Sequence, residues 1–413
     1  MGEKALFVGL DFGNKESRLC YYDEQKYEVI CVNNSAIPTI LGVKDTGEWL
    51  FGNEAAEAQK AGRCELIEDG VSCICGNRPI MAGDKEVKPV FYIATYMRKL
   101  LSLLHEYEPD KGIRKLVITT YHSDRHLTDY IYIALESIGI KRNRVAFMNY
   151  RQSFLHYVMS QGREFWINDV GMFDFGYNGF RYLQMTMDRR KSPYIVGVRE
   201  KDYSDTINMS MLDGGNERLE YEFDSITQSA IHKQILSTLY MIGPGFENGW
   251  ADNIMKKLCS GRRVFKGEKL YADGACQAAR HLEGEGNVEP FVYIDENMIA
   301  SHITARIYVN AANQELIIAK AGTAWYEIDN SVDIIPDGEF EMALNITNVI
   351  TRENSKHLIS LKDIVAKRPD RMSRIRVRVR MQDTHNMIVT VKDNGFGEIC
   401  PSSNRIYERI IKI

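Results

Sequence analysis

At 413 residues the chain exceeds the roughly 250 to 300 residues at which a single core stops growing, so two or three domains are expected. A hydrophobic content of 44% beside 26% charged residues excludes a disordered chain. A net charge of −4 and a pI near 6.2 exclude whole-molecule attraction to nucleic acid or to an anionic membrane surface.

No apolar run approaches the ~20 residues of a membrane span, and Asp11 interrupts the opening apolar stretch too early for a signal peptide. A cytoplasmic protein that does not engage a membrane is therefore expected. The cysteines at 20, 31, 64, 73, 75, 259, 276 and 400 lack the dense, regular spacing of a secreted disulfide framework, so reduced thiols are expected. Cys64, Cys73 and Cys75 cluster but fall short of the four ligands a structural zinc site requires.

In chain order, ALFVGLDFG and SRLCYYD flank a Gly/Asn-rich turn and predict a hairpin. KLVITTYHSD predicts a buried strand, TDYIYIALESIGI an amphipathic helix ending at Gly139, RVAFMNY a strand and QSFLHYVMS a helix, in β-α-β order. His122 and His126, near that first helix start, have no third ligand in sequence reach and are expected to be ordinary histidines. GMFDFGYNGFRYLQM then repeats the opening arrangement: an apolar strand, Asp-Phe-Gly, a polar turn, and an Arg seven positions after the Asp. Asp11 and Arg18 thus correspond to Asp174 and Arg181, an internal duplication. Residues 186 to 226 alternate strand patterns with turns such as DGGN, and SAIHKQILSTLYMIG predicts a helix running into a strand. From about residue 290, HITARIYVN, QELIIAK, GEFEMALNI, RIRVRVRM and NMIVTVKD predict short strands of a β-sandwich. Arg374, Arg376, Arg378 and Arg380 alternate with apolar residues, which places them on one solvated strand face.

A Gly- and Asn-rich turn lets backbone N–H groups approach phosphate oxygens closely, and an Asp just before it can hold water on Mg²⁺. Two such hairpins can grip a triphosphate from both sides. On that reading Asp11 and Asp174 take the metal role, and Gly13, Asn14, Lys15, Gly176, Tyr177, Asn178 and Gly179 take the phosphate role. Gly243, Gly245 and Phe246 follow a predicted strand and precede a helix, where backbone can lie against an adenine or ribose. Gly274, Ala275 and Ala278 mark a small-residue helix that can pack closely beneath them.

Taken in order, these elements resemble DnaK-type heat-shock chaperones of the actin/hexokinase superfamily. VGLDFGNKES and FDFGYNGF resemble the two phosphate segments, MIGPGF the adenosine segment, YADGACQAA the helix behind it, PFVYID the apolar interdomain linker, and MSRIRVRVRMQDTHNMIVTVKDNGFGE the last sandwich strands. The resemblance implies an α/β fold with a duplicated ribonuclease-H-like, actin/hexokinase-type nucleotide-binding core over 1–288, a linker over 289–296 and a C-terminal β-sandwich over 297–413. It implies ATP or ADP with Mg²⁺ as cofactor and a peptide or protein client rather than nucleic acid as partner.

The chain also departs from the family. Tyr150 stands where the family places its catalytic Glu, Asn14 and Lys15 replace threonines, and Tyr177 and Asn178 interrupt the second glycine run. The stretch from 186 to Met241 is short for the family's helical subdomain, and no lid sequence follows the last strands before Ile413. Loss of a positioned base removes roughly 10² to 10⁴ in rate, so ATP hydrolysis is expected to be slow or absent. Two functions follow as expectations. One is a nucleotide-dependent binding protein whose linker Phe291 to Ile294 passes the state of the cleft to the sandwich; the other is a pseudo-ATPase scaffold that binds a protein partner without nucleotide. A sugar or metabolite kinase of the same superfamily ranks last, because no Asp base stands in a sugar-binding segment.

Overall fold

A computed structural model describes residues 5–121, 124–190, 192–286, 288–309, 312–337, 341–362 and 368–413. The protein is mixed α/β with several sheets. It divides into two compact units, Met1–Thr186 with Arg199–Glu289, and Met187–Val198 with Pro290–Ile413.

In the first unit, the apolar strand Ala5–Phe12 turns back at Gly13 onto Glu16–Asp23. The Gly13 amide donates to the Glu16 carbonyl, and a Cβ at Gly13 would lie 2.5 Å from that oxygen, so the turn closes only around glycine. The hairpin sits in a five-stranded sheet ordered Val145–Asn149, Gly112–Thr120, Ala5–Phe12, Glu16–Asp23, Glu28–Pro38. Both strands on its left run parallel to Ala5–Phe12. Side chains alternate across the sheet. Leu6, Val8 and Leu10 share a core with Leu116 and Ile118, and Phe7 joins Val117, Ala272, Ala275 and Ala279 in another.

The crossover helix Arg125–Ser137 begins where the Asp124 carboxylate accepts from the Leu127 amide at 2.8 Å. Helix Tyr150–Ser160 begins with a capping box, Asn149 and Gln152 each accepting the other's backbone N–H.

The second sheet has six strands, ordered Arg263–Gly267, Leu236–Ile242, Asp169–Gly176, Gly179–Asp188, Tyr194–Asp202, Phe291–Tyr293. It has the same plan as the first: an antiparallel hairpin beside two parallel strands. The registers agree too, with Asp11 opposite Arg18 and Asp174 opposite Arg181. Its core gathers Phe173, Phe175, Phe180, Phe223, Phe246 and Trp250.

The stretch read as strands and turns after residue 186 contains instead a helix, Asn216–Ile231. Its buried residues Leu219, Phe223, Ile226 and Thr227 follow a helical period that the intervening acidic residues obscure. The helix expected over SAIHKQI ends at Ile231, and the strand begins at Leu236. The cysteines also need correction. The register sets Cys20 opposite Cys31 on adjacent strands, and these two form a disulfide, while Cys64, Cys73, Cys75, Cys259, Cys276 and Cys400 are free.

The second unit holds two antiparallel four-stranded sheets. One is ordered Ala312–Ala319, Ser301–Val309, Glu341–Asn348, Asn354–Ser360, and the other Asp329–Ile334, Ile375–Met381, Asn386–Asp393, Ile406–Lys412. Ile303, Ala305, Leu344 and Ile346 of one share a core with Val377, Val379, Val389 and Val391 of the other. Arg376, Arg378 and Arg380 occupy the solvent face of their strand, where Arg376 pairs with Asp333 and Arg378 with Asp329. Phe291–Tyr293, in the segment read as a linker, is a short strand pairing in parallel with Tyr194–Val196.

Candidate functional site

The parallel plan of the two sheets brings Asp11 and Asp174 to equivalent strand ends, and the helices that follow each sheet bring a tyrosine to each acid. Tyr150, the first residue of its helix, donates its hydroxyl to Asp11 Oδ1 at 2.9 Å. Tyr271, near the start of helix Leu270–Leu282, donates to Asp174 Oδ2 at 2.8 Å. The two phenol rings stack with centroids 3.8 Å apart and planes 17° from parallel. The four side chains form one chain, Asp11–Tyr150–Tyr271–Asp174. Burial, then the neighbouring carboxylates, hold both phenols well above their ordinary range, so both remain protonated donors.

The two helices approach closely enough to make this stack. A Cβ on Gly274 would lie 1.9 Å from the Ser153 carbonyl, and a Cβ on Gly9 would lie 2.2 Å from the Ala272 carbonyl. Glycine at both positions is what lets one helix cross the other and lie on the first sheet.

The likeness between the two hairpins breaks at the arginines. Arg181 turns back on its own hairpin, donating to Asp174 Oδ2 at 3.0 Å and to Glu200 Oε1 at 3.3 Å, with its guanidinium 4.2 Å from the Tyr121 ring centroid. Arg151 donates to the same Glu200 at 2.8 Å. Arg18 instead leaves Asp11 and donates to Glu268 Oε2 at 2.9 Å, 250 positions along the chain. Among the described residues Asp11 therefore has no guanidinium bonded to it as Asp174 has, and Arg18 acts on it only from a distance. Burial pushes its carboxyl up to about 7 against the opposing Tyr150 bond, with Glu16 and Asp174 adding to the rise. Burial also raises Asp174, and Arg181 and Tyr271 pull it back.

The remaining expected site residues separate into three groups. Asn14 and Lys15, in the first turn, are tied to Asp69: Asn14 Nδ2 donates at 3.3 Å and Lys15 Nζ at 2.9 Å, while Asn14 Oδ1 accepts from the Ser72 amide. Gly176, Tyr177, Asn178 and Gly179 form the second turn, with Tyr177 exposed and Gly179 at a φ of +107° against Ser204. Gly243, Gly245 and Phe246 face inward. A Cβ on Gly243 would lie 2.4 Å from the Phe175 carbonyl, one on Gly245 would lie 2.3 Å from the Phe175 ring, and Phe246 is buried and stacked on Trp250. These glycines admit the phenylalanine of the second Asp-Phe-Gly.

Cys64 and Cys73 line an open cavity with Glu65, Glu68, Asp69 and Met81. Among the described residues no group of three His, Cys, Asp or Glu side chains is placed to hold a metal. His126 is exposed, and His122 lies outside the described residues.

Sequence reading missed Tyr271, Glu200, Glu268 and Asp69. Tyr271 left one signal: like Tyr150, it stands in the first turn of the helix that follows its sheet's outermost parallel strand.

No curated protein matches the chain. Residues 298–413 match the domain described as Domain of unknown function (DUF8552). Residues 26–296, about two thirds of the sequence and including Tyr150, Asp174, Arg181 and Tyr271, match a second description, and the chain accordingly belongs to the Family of unknown function (DUF5716) C-terminal.

Proposed function

We propose that this chain is a DnaK-like binding protein, with a duplicated actin/hexokinase-type core and a C-terminal β-sandwich, in which a tyrosine bridge has replaced nucleotide chemistry. The carrying observation is the chain Asp11–Tyr150–Tyr271–Asp174. A Mg²⁺–triphosphate needs ionised, hydrated carboxylates facing it. Here each candidate carboxyl accepts from a phenol, Asp174 is also matched by Arg181, and Asp11 titrates near neutrality. Tyr150, in the family's Glu place, is a protonated donor with no capacity to take a proton from water. These donors fit a closed seam better than a metal shell. The core would then serve as a scaffold and the sandwich as the surface that holds a peptide or protein.

The shared strand plan and the matching Asp/Arg registers favour a second reading, in which ATP or ADP with Mg²⁺ displaces the tyrosines and reaches Asp11 and Asp174. Calorimetric titration of ATP and ADP with Mg²⁺ into wild type and Asp11→Ala, with phosphate release followed in parallel, separates the two. The scaffold reading expects no binding at millimolar nucleotide and no phosphate release; micromolar binding that Asp11→Ala abolishes overturns it in favour of the second.

A further inference from the structure

The C-terminal strand Ile406–Lys412 lies at the end of its sheet, with one neighbouring strand among the described residues. Its register with Asn386–Asp393 is unbroken from Lys412 to Ile406, so no bulge turns the edge away, and the strand contains no proline. Folded proteins usually blunt such an edge by shortening, bulging or covering it. This one is long and straight, and it carries exposed apolar residues: Ile406 and Ile410, on the solvent face, are 63% and 60% exposed. The opposite edge strand of the same sheet, Asp329–Ile334, instead carries Asp329 and Asp333, which pair with Arg378 and Arg376 of the adjoining strand.

Charge around the open edge is unbalanced. Exposed Lys392, Arg409 and Lys412 surround it, against Glu408, whose carboxylate already accepts from Thr390. Arg409 donates to the Leu358 carbonyl of the neighbouring sheet at 3.2 Å. A second copy of this chain would bring another basic edge against this one. An acidic strand would meet complementary charge.

We propose that Ile406–Lys412 is a docking edge for an extended acidic segment of a partner protein, added as a further strand. Side chains alternate along an added strand, so one column of the segment is apolar along Ile406 and Ile410 and ends in an acidic residue at Lys412, while the other is acidic and faces Arg409. Main-chain hydrogen bonds supply affinity, and the two columns supply selectivity. The inference rests on the binding-protein reading of the chain, but its test uses no nucleotide, so a failure here leaves the outcome of the nucleotide titration standing.

The probe is a fluorescein-labelled heptapeptide alternating glutamate and valine, titrated into the full chain by polarisation, with a lysine–valine heptapeptide as control. Saturable binding of the acidic peptide is expected, at least tenfold tighter than the basic one and weakened by high salt. Ile410→Asp and Arg409→Glu, both at exposed side chains, should each weaken it at least tenfold with the urea midpoint unchanged, and Ile317→Asp on the other sheet should not. Equal affinity for both peptides, no binding at millimolar peptide, insensitivity to the two edge substitutions, or a concentration-dependent dimer in sedimentation that Ile410→Asp abolishes would each overturn the proposal, the last by giving the edge to a second copy.

Discussion

The rings of Tyr150 and Tyr271 lie face to face, 3.8 Å apart, while their hydroxyls donate in different directions, to the aspartates of two different hairpins. One stack therefore ties together two sheets that share a plan but, among the described residues, no strand pairing. Tyr150 supplies the bond to Asp11, while Tyr271 shares Asp174 with Arg181.

Tyr→Phe substitutions keep the stack and remove the donors, so they isolate the two hydrogen bonds. Tyr150→Phe should cost about 1 to 3 kcal/mol at pH 7.5, the range for losing a bond to a charged or buried acceptor. Tyr271→Phe should cost less, because Arg181 still bonds Asp174. Urea unfolding of both single variants and the double variant measures this; a larger loss for Tyr271→Phe would contradict the division of labour between tyrosine and arginine.

Asp11 makes stability depend on pH in a defined window. Its folded value near 7 lies above the unfolded value near 4, so the folded state holds the proton more tightly. Its contribution is complete below pH 4 and is lost as pH rises through 7. Asp273, also pushed up to about 7 by burial, acts in the same sense, while His156, pushed down to about 3, acts in the opposite one. The informative quantity is thus a difference between variants. Asp11→Asn should be near neutral at pH 4.5 and more stable than wild type by ~3 kcal/mol at pH 8, read from paired urea titrations; a difference that stays flat between those values would show that the carboxyl is ionised throughout.

Much of this arrangement is legible in the sequence, and the reasons are local. Asp-Phe-Gly followed by an arginine seven positions after the Asp occurs twice, and the same strand register appears at both places. The alternating runs from 301 onward are strands because period-2 patterning reports a half-buried surface directly. What escapes is what depends on partners distant in the chain. Nothing near Arg18 indicates that it chooses Glu268 over the aspartate opposite it, and nothing near Tyr271 indicates Asp174, 97 positions away. Helix Asn216–Ile231 hides because its exposed face is dense in acidic residues, and Asp329–Ile334 and Asn354–Ser360 hide because edge strands bury little on either face. The inward-facing glycines 243 and 245 show a different limit: sequence marks a close backbone approach but not whether ligand or protein makes it.

The helix crossing gives a prediction independent of titration. Gly274→Ala sets a methyl group 1.9 Å from the Ser153 carbonyl, so the backbone must shift and the tyrosine stack above it must open. A loss of about 1 to 3 kcal/mol is expected, together with faster hydrogen exchange at the starts of both helices. Gly112→Ala, at a position with nothing within 4 Å of a Cβ, serves as the tolerant control. Equal stability of the two variants would mean that the helices do not need this contact.

In the C-terminal unit the corresponding dependence falls on Asp393, whose fully buried carboxylate accepts from both terminal nitrogens of Arg368 at 2.8 and 2.7 Å, from the Ser403 amide and hydroxyl, and from the Gly395 amide. Burial alone would raise it, but these donors more than offset burial and hold it well below the usual carboxylate range. A depressed folded value means stability that is present above pH 4 and lost as pH falls below it. Arg368→Ala leaves the charge buried without its cation and should cost about 3 to 5 kcal/mol at pH 7. Asp393→Asn removes the charge and should cost less, and the double variant should fall short of the sum because both substitutions break one pair. Hydrogen exchange of Asn386–Asp393, which ends on this carboxylate, reports the loss locally; protection unchanged in Arg368→Ala would show that Ser403 and Gly395 suffice to hold the charge.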